Sequence, residues 1–324
     1  MAATNQPLSR EVLEINEAAE IERIGEKIRH ATGRVLRKRG LVVATSGGID
    51  SSVCLSLAVK ALGADRVVAL VLPENDSSSD SARRAGILTK HHGVQSITEN
   101  IGPTLEALGC YKRRDDAVRR VLPAYNEAWG MKIVLRGGLE GQINHFVLAA
   151  RSPDGKMHEI RLPIAEYLQI VAATNFKQRI RKTMEYFHAD RLNYAVVGTP
   201  NLLEYDQGFF VKNGDGSADV KPIAHLYKTQ VYALARAFGL PPDICNAVPT
   251  TDTYTLEQGQ DEFYFALPYK DMDVALWAFI HERPASELAA VLKISTEQAE
   301  RVYADIIAKR RVASYLHAPP VLMD

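Results

Sequence analysis

Apolar and polar positions follow two rhythms along this chain. Val12, Ile15, Ala19, Ile21, Ile24 and Ile28 recur near helical spacing, which predicts an amphipathic helix over 10–38 that stops at Gly40. Two short apolar runs follow, LVVAT at 41–45 and DRVVALVLP at 65–73, and VQSIT at 94–98 reads as a third strand. The first two are β-branched and nearly free of charge, as strands buried on both faces are. Segments of helical period separate them, at 51–63 and 79–93, closing on Gly63 and Gly93. Strand, helix, strand, helix, strand predicts a parallel sheet wrapped by helices. A long helix over 166–189 and a fourth strand, NYAVVGT at 193–199, extend the pattern. Residues 100–165 are mixed: RRDDAVRRVLPAYNEAWG predicts a helix broken at Pro123, and RSPDGKMHEIRLP a surface hairpin or loop around Pro-Asp-Gly. NLLEYDQGFFVKNGDGSADVKPI reads as a long loop, HLYKTQVYALARAFGLP as a helix stopped by Gly239 and Pro241, and 271–313 as mostly helical. The expected fold class is α/β, a doubly wound parallel sheet with a helical C-terminal part. The expected division is an N-terminal helix (1–40), a main unit (41–270) carrying an insertion or lid (110–165), and a helical part of the same domain (271–324).

Composition narrows the partners. The 324 residues are 46% hydrophobic and 24% charged, with 39 basic and 39 acidic side chains. The balance points to no nucleic acid and no membrane surface. Cys54, Cys110 and Cys245 form no CxxC pair, so a reduced, cytoplasmic setting without zinc or iron–sulfur is expected. The polar first 28 residues carry no apolar signal core, and no window approaches the roughly 18 apolar residues of a membrane span.

The most informative stretch is VVATSGGIDSS at 42–52. Ser46, Gly47 and Gly48 lie between the strand and the helix predicted from Ser51, with Ile49 and Asp50 leading into it and Ser52 following. Glycines there permit close backbone approach, and a helix N-terminus presents unpaired N–H groups and a positive dipole end. The hydroxyls add donors, so the turn is built for an anion such as phosphate. Asp50 would repel phosphate unless Mg²⁺ lies between them. No lysine follows the glycines as a Walker A loop requires, and the spacing is not that of a dinucleotide fingerprint.

The turn resembles the SGGxDS pyrophosphate loop of the N-type ATP pyrophosphatases. Three later motifs are similar to those of the NAD synthetase branch. They are NFKQRIRKTMEYF at 175–187, VVGTPNLLEYDQGFFVKNGDGSADVKPIAHLYKTQVYALARAFGLP at 196–241, and VPTTDTYTLEQGQDE at 248–262. The resemblance implies a Rossmann-like, pyrophosphatase-type fold and ATP as co-substrate with Mg²⁺. Asp50 and Glu204 would hold the metal, Lys228 would reach the ATP phosphates, and Thr199 and Thr250 would line the ATP site. Arg179, Lys212 and Asp219 would hold deamido-NAD. Ala44 stands where the family usually has Gly, and Ala308-Lys309 where ammonia-dependent bacterial members often carry a His-Lys pair, leaving Lys309 as the candidate contact.

The implied reaction adenylates the nicotinate carboxylate of deamido-NAD and lets ammonia displace AMP; an amide ligase for a different carboxylate is the alternative. About 40 residues before the first strand are too few for a glutaminase domain. Free ammonia or a separate glutaminase chain is therefore the expected nitrogen source. The resemblance also implies a homodimer. Lys228 in the first turn of a helix opposes the dipole, which favours a ligand role. Arg181, two residues from Arg179, points to another side of its helix. Glu257, Gln260, Asp261 and Glu262 match the family's Q-x-D-E pattern but also suit an acidic surface. Aromatic residues in the tail are expected in the core.

Overall fold

The computed structural model describes residues 7–137, 145–247, 253–256, 258–259, 264–265 and 267–323. Four strands form a parallel sheet: β1 (Leu41–Ala44), β2 (Val67–Val71), β3 (Gln95–Thr98) and, far along the chain, the strand Ala195–Val197. Their order is β3, β2, β1, then Ala195–Val197. β1 pairs in parallel on both sides, Val43 against Ala69 and against Val197. Successive side chains alternate between faces. Leu41, Val43, Val67, Ala69 and Val197 enter a core with α1 (Glu17–His30) and α2 (Ile49–Leu62). Val42, Val68, Leu70 and Val196 enter another, with Ile101, Leu105 and Cys110. Burial on both faces explains the charge-free β1, β2 and Ala195–Val197 strands, while β3 is a largely exposed edge strand, and the arrangement bears out the doubly wound α/β expectation. The strand order reverses at β1, the kind of position where such sheets open a crevice for a ligand.

α3 (Ser79–His92) connects β2 to β3. α4 (Gly102–Ala107) and α5 (Cys110–Val121) follow. Residues expected as an insertion or lid continue as an antiparallel sheet of β4 (Gly130–Arg136), β5 (His145–Arg151) and β6 (Met157–Arg161). β5 and β6 are the predicted hairpin around Pro-Asp-Gly. Met131, Ile133, Leu148 and Ala150 pack this sheet on Ala117 and Val118 of α5 and on Ile170 of α6 (Ile164–Leu192). The strand after α6 is β7 (Ala195–Val197).

Two expectations change. The helix over 10–38 is three pieces: a 3-10 turn at Arg10–Leu13, α1 capped by the Asn16 side chain on Ala19 N (3.0 Å), and a π turn at Ala31–Val35. The interruption lets Leu8 and Leu13 reach the C-terminal helices while Ile24 and Ile28 reach the sheet. The loop after β7 contains α7 (Leu202–Gln207), started by a capping box in which Asn201 and Glu204 each accept from the other's backbone N–H.

α8 (Lys228–Ala237) and α9 (Pro242–Cys245) return to the sheet side. The tail is helical as expected: α10 (Tyr269–Ile280), α11 (Ala285–Leu292) and α12 (Thr296–His317). Their core joins Met272, Leu276, Leu288, Val302 and Ile306 to Leu8, Leu13 and Leu203. Among the described residues, no helix is long and apolar enough to cross a membrane.

Candidate active site

A cavity of about 700 Å³ opens beside the turn between β1 and α2. That volume suits a nucleotide-sized ligand. Ser46, Gly48, Ile49, Asp50, Ser51, Arg179, Thr199, Glu204, Lys212 and Lys228 all line it. Residues separated by up to 182 positions in the chain thus meet at one place. A smaller cavity of about 200 Å³ lies over the ends of β1 and β2 and shares Ser46, Ser51 and Thr199 with the first. Arg181 lines only this smaller one; its Nε donates to Leu72 O (3.3 Å) and its guanidinium to Ser77 Oγ (3.3 Å). Arg179 and Arg181 therefore serve different walls, as their helical spacing requires. Ala44 also lines the smaller cavity, so its methyl occupies space that a glycine would leave open.

The turn is ordered from within. Gly47 has φ +71°, and a Cβ there would stand 2.3 Å from Arg84 Cβ, so glycine is required by both conformation and space. Ser51 and Ser52 donate to Gly48 O (3.1 and 2.8 Å), and Ser46 Oγ accepts from Gly48 N (3.3 Å). No side chain caps α2 at Gly48, which leaves its first turn to a ligand. Gly47 and Ser52 shape the turn without lining the large cavity.

On the floor, Lys228 Nζ donates to Asp50 Oδ2 and stands 4.0 Å from Glu204 Oε1. Asn201 Nδ2 donates to Asp50 Oδ1 (3.2 Å) and fixes the carboxylate. Lys228 is 2% exposed. Burial pulls its ammonium down, but Asp50 and Glu204 outweigh burial and hold it above the usual lysine range. Cys54, beneath the same carboxylates, is fully buried; burial first, then Asp50 and Glu204, push its thiol well up, so it stays neutral.

Lys228 begins α8, where a cation opposes the helix dipole. The structure offsets this with Asp273 of α10. Its carboxylate accepts from Lys228 N (3.3 Å), Thr229 N (2.7 Å) and Thr229 Oγ1 (2.6 Å). Burial pushes the Asp273 carboxyl up to about 6, against the lowering effect of those hydrogen bonds. A carboxyl that binds its proton more tightly folded than unfolded makes the fold lose stability as pH rises from about 4 to 6, with no further change above. Asp273→Asn cannot titrate. The unfolding free energy of the wild type minus that of the variant is expected to fall over that window in urea titrations. A difference that rises with pH would show that the ionised form is the one the fold favours.

The other predicted residues lie away from this floor, Lys212 on the cavity wall and Asp219 and Lys309 outside the lining. Lys212 Nζ donates to Tyr315 O (2.9 Å) and Ala318 O (3.2 Å) and sits 4.3 Å from the Tyr315 ring centroid, tying its loop to the end of α12. Asp219 accepts from Val196 N (2.7 Å) and Tyr186 Oη (3.3 Å) at the edge of β7, away from the cavity lining. Lys309 donates to Tyr264 O (2.5 Å) and Asp305 (2.5 Å); burial lowers its ammonium, and it supports Tyr264 rather than lining the cavity. Thr250, Glu257, Gln260, Asp261 and Glu262 lie outside the described residues.

Sequence reasoning missed an aromatic wall. Phe146 and Tyr167 stack with centroids 4.0 Å apart and line the cavity with Val171 and Tyr254. Tyr315 is 70% exposed and faces the cavity, against the expectation that tail aromatics are core. The small sheet carries part of this wall: Met131 N donates to Thr255 Oγ1 (2.7 Å), Leu256 N to Met131 O (3.2 Å), and Gln258 Nε2 to Ile133 O. Thr255, Leu256 and Gln258 thus lie along β4, beside the cavity-lining Thr253 and Tyr254.

Two carboxylates from separate elements, one oriented by an amide, beside a polar turn suit a Mg²⁺ ion that takes its other ligands from phosphate and water. Among the described residues no cluster of three His, Cys, Asp or Glu exists that could hold a metal by protein ligands alone.

A crevice at the reversal of a parallel sheet, floored by a Gly-rich turn with an uncapped helix N-terminus, defines a Rossmann-like α/β protein of the kind that binds nucleotides. Comparison with known proteins narrows this class. The NAD synthase family model matches residues 20–126 and 143–312, and the chain belongs to that family. An NH₃-dependent NAD⁺ synthetase of Rhizobium meliloti is 54% identical over 317 residues, covering 98% of this chain and 95% of that protein. The fold is similar to an NMN synthetase from Francisella tularensis (TM-score 0.65, 20% identity, covering 95% of this chain and 99% of that one). It is also similar to an NH₃-dependent NAD synthetase from Campylobacter jejuni (TM-score 0.62, 18% identity, covering 96% and 100%).

Proposed function

We propose that this chain is an ammonia-dependent NAD synthetase, converting deamido-NAD, ATP and ammonia to NAD, AMP and pyrophosphate. The observation that carries this reading is the meeting of Asp50, Glu204 and Lys228 beside the Gly-rich turn, in a chain 54% identical to an NH₃-dependent NAD⁺ synthetase over nearly its whole length.

The nicotinate carboxylate attacks the α-phosphorus of ATP, and pyrophosphate leaves into the 46–52 turn. Lys228 takes up the charge that grows on the leaving group, and Ser46, Ser51 and the first turn of α2 orient it. Ammonia then attacks the acyl-adenylate carbonyl and AMP departs. No protein nucleophile is required; the work is positioning and charge stabilisation. Mg²⁺, held by Asp50 and Glu204, would supply further charge neutralisation at the phosphates. The smaller cavity takes the adenosine end of ATP, between Thr199 and Arg181. Arg179, Lys212 and the aromatic wall take deamido-NAD, and Asp219 and Lys309 support that site from outside the cavity. Residues 41–270 carry the catalytic unit, with 110–165 supplying a wall. Exposed Ile164, Leu168 and Phe187 on α6 suit a homodimer, which sedimentation tests. We place the enzyme in the cytoplasm, fed by free ammonia or a separate glutaminase.

The test supplies purified protein with Mg-ATP, ammonium and deamido-NAD and follows NAD, AMP and pyrophosphate. Equal yields of the three are expected. Pyrophosphate released only with another acid, such as nicotinate mononucleotide, would overturn the substrate assignment.

A further inference from the structure

We propose that Arg84, on α3, is a second phosphate-binding cation of this site and receives the leaving pyrophosphate opposite Lys228. The inference rests on the reading of the 46–52 turn given above and adds a residue that lies outside every motif of the sequence.

Arg84 is placed by the turn itself. A Cβ on Gly47 would stand 2.3 Å from Arg84 Cβ and 2.8 Å from Ala85 N, so the turn presses directly on α3 at this residue. The Arg84 side chain lines the large cavity together with Ser46, Gly48, Asp50, Ser51 and Lys228. α2 packs against both α3 and α8, so the turn that begins α2 has one cation from each neighbouring helix.

Its bonding is incomplete. Arg84 Nε is buried and has no hydrogen-bond partner among the described residues. The carboxylate it pairs with, Asp80, stands 3.9 Å away, beyond hydrogen-bond reach, although the Arg84 side chain is only 17% exposed. Arg83, its neighbour on the same helix, meets Asp80 at 3.1 Å and Asp243 at 2.7 Å. The fold therefore satisfies the outward arginine twice and leaves the inward one short of acceptors. A buried guanidinium N–H without an acceptor is costly, and a ligand that supplies one recovers that cost.

The charges of the floor ask for such a ligand partner. Lys228 is engaged by Asp50 and stands beside Glu204, so this trio is one negative charge in excess. With Mg²⁺ on Asp50 and Glu204 the floor would carry one positive charge, still fewer than the negative charges on pyrophosphate, so a second cation opposite Lys228 fits the site. In the adenylation step a carboxylate oxygen bonds to the α-phosphorus while the bond from that phosphorus to its bridging oxygen breaks. The electron pair leaves on pyrophosphate, and no proton moves. Arg84 offers a planar fork of N–H donors that matches phosphate oxygens.

The test uses pyrophosphate itself as the probe in the full-length enzyme, with Arg84→Gln, Arg84→Met and Arg84→Lys. Wild type is expected to be inhibited by pyrophosphate in competition with ATP. In Arg84→Gln and Arg84→Met the inhibition constant and the KM for ATP should rise at least about tenfold, as loss of a charge-assisted hydrogen bond implies. The KM for deamido-NAD and the melting temperature should hold, and Arg84→Lys should fall between. Arg84→Met keeps the stem that packs under Gly47, so it decides the matter if Arg84→Gln melts early. Unchanged pyrophosphate inhibition in both neutral variants overturns the role of Arg84 while leaving the turn's role intact. Absence of competition between pyrophosphate and ATP in the wild type would instead remove the reading of the turn, and this inference with it.

Discussion

Lys228→Met is expected to lower kcat for NAD formation on the order of 10³-fold, the scale on which removal of one preorganised charge-stabilising donor is felt. Two features make the effect large. Lys228 is 2% exposed, so its charge acts with little screening by water. It also separates Asp50 from Glu204, and methionine would leave those carboxylates facing each other and any incoming phosphate. The KM for ATP should rise as well, because ground-state phosphates meet the same repulsion. Arginine at this position is not expected to restore activity, since its larger fork does not fit the ammonium's place between the two carboxylates. Single-turnover release of pyrophosphate with deamido-NAD measures the adenylation step alone. A wild-type rate in that assay would take Lys228 out of the chemistry.

The second large effect concerns stability. Lys177→Met is expected to cost about 3–5 kcal/mol, the usual result of removing one partner from a buried ionic cluster. Lys177 Nζ meets Glu74 Oε1 (3.1 Å), Asp76 Oδ2 (2.5 Å) and Thr253 O (2.7 Å). Lys177 and the Glu74 side chain are 1% and 0% exposed. Arg114 closes the cluster on Asp76, and Tyr111 Oη donates to Glu74 Oε2 (2.8 Å). Without the ammonium, Glu74 loses its closest cation, and Arg181 stands 4.0 Å away. The Thr253 carbonyl loses its donor too, so the wall containing Thr253 and Tyr254 should loosen and the KM for deamido-NAD rise. Adding Glu74→Gln should recover part of the loss, because it removes the stranded charge. Urea unfolding of the two variants beside wild type gives the answer. A Lys177→Met curve that overlays wild type would mean the cluster contributes no net stability.

Lys177 also illustrates what the chain's pattern conceals. It sits inside the 175–187 motif, between Asn175 and Arg179, with nothing local to mark it as buried. Its burial follows from Glu74 and Asp76, about 100 positions earlier. Asp273 is a similar case: it caps a helix 45 residues before it, a relation that no capping pattern within one segment can express. α7 was legible in principle, since Asn201-Leu-Leu-Glu204 has the spacing of a capping box, but the Gly, Asp and Asn residues around it dominate the composition. β4 was hidden because it pairs with a strand beyond residues 138–144 and carries Lys132 and Arg136 within its span.

The sequence by itself determined the parallel sheet, the Gly-rich strand-to-helix turn and the set of cations and acids that accompany it. Strand burial, helical period and glycine-dependent turns are written in neighbouring residues, because backbone geometry is a local matter. Tertiary structure alone decided how those residues divide the work. It brought Lys228 and Glu204 to Asp50, set Asp219 and Lys309 outside the cavity, and pressed Arg84 against Gly47. Which charge meets which depends on how helices pack across the sheet, and that packing joins side chains far apart in the chain.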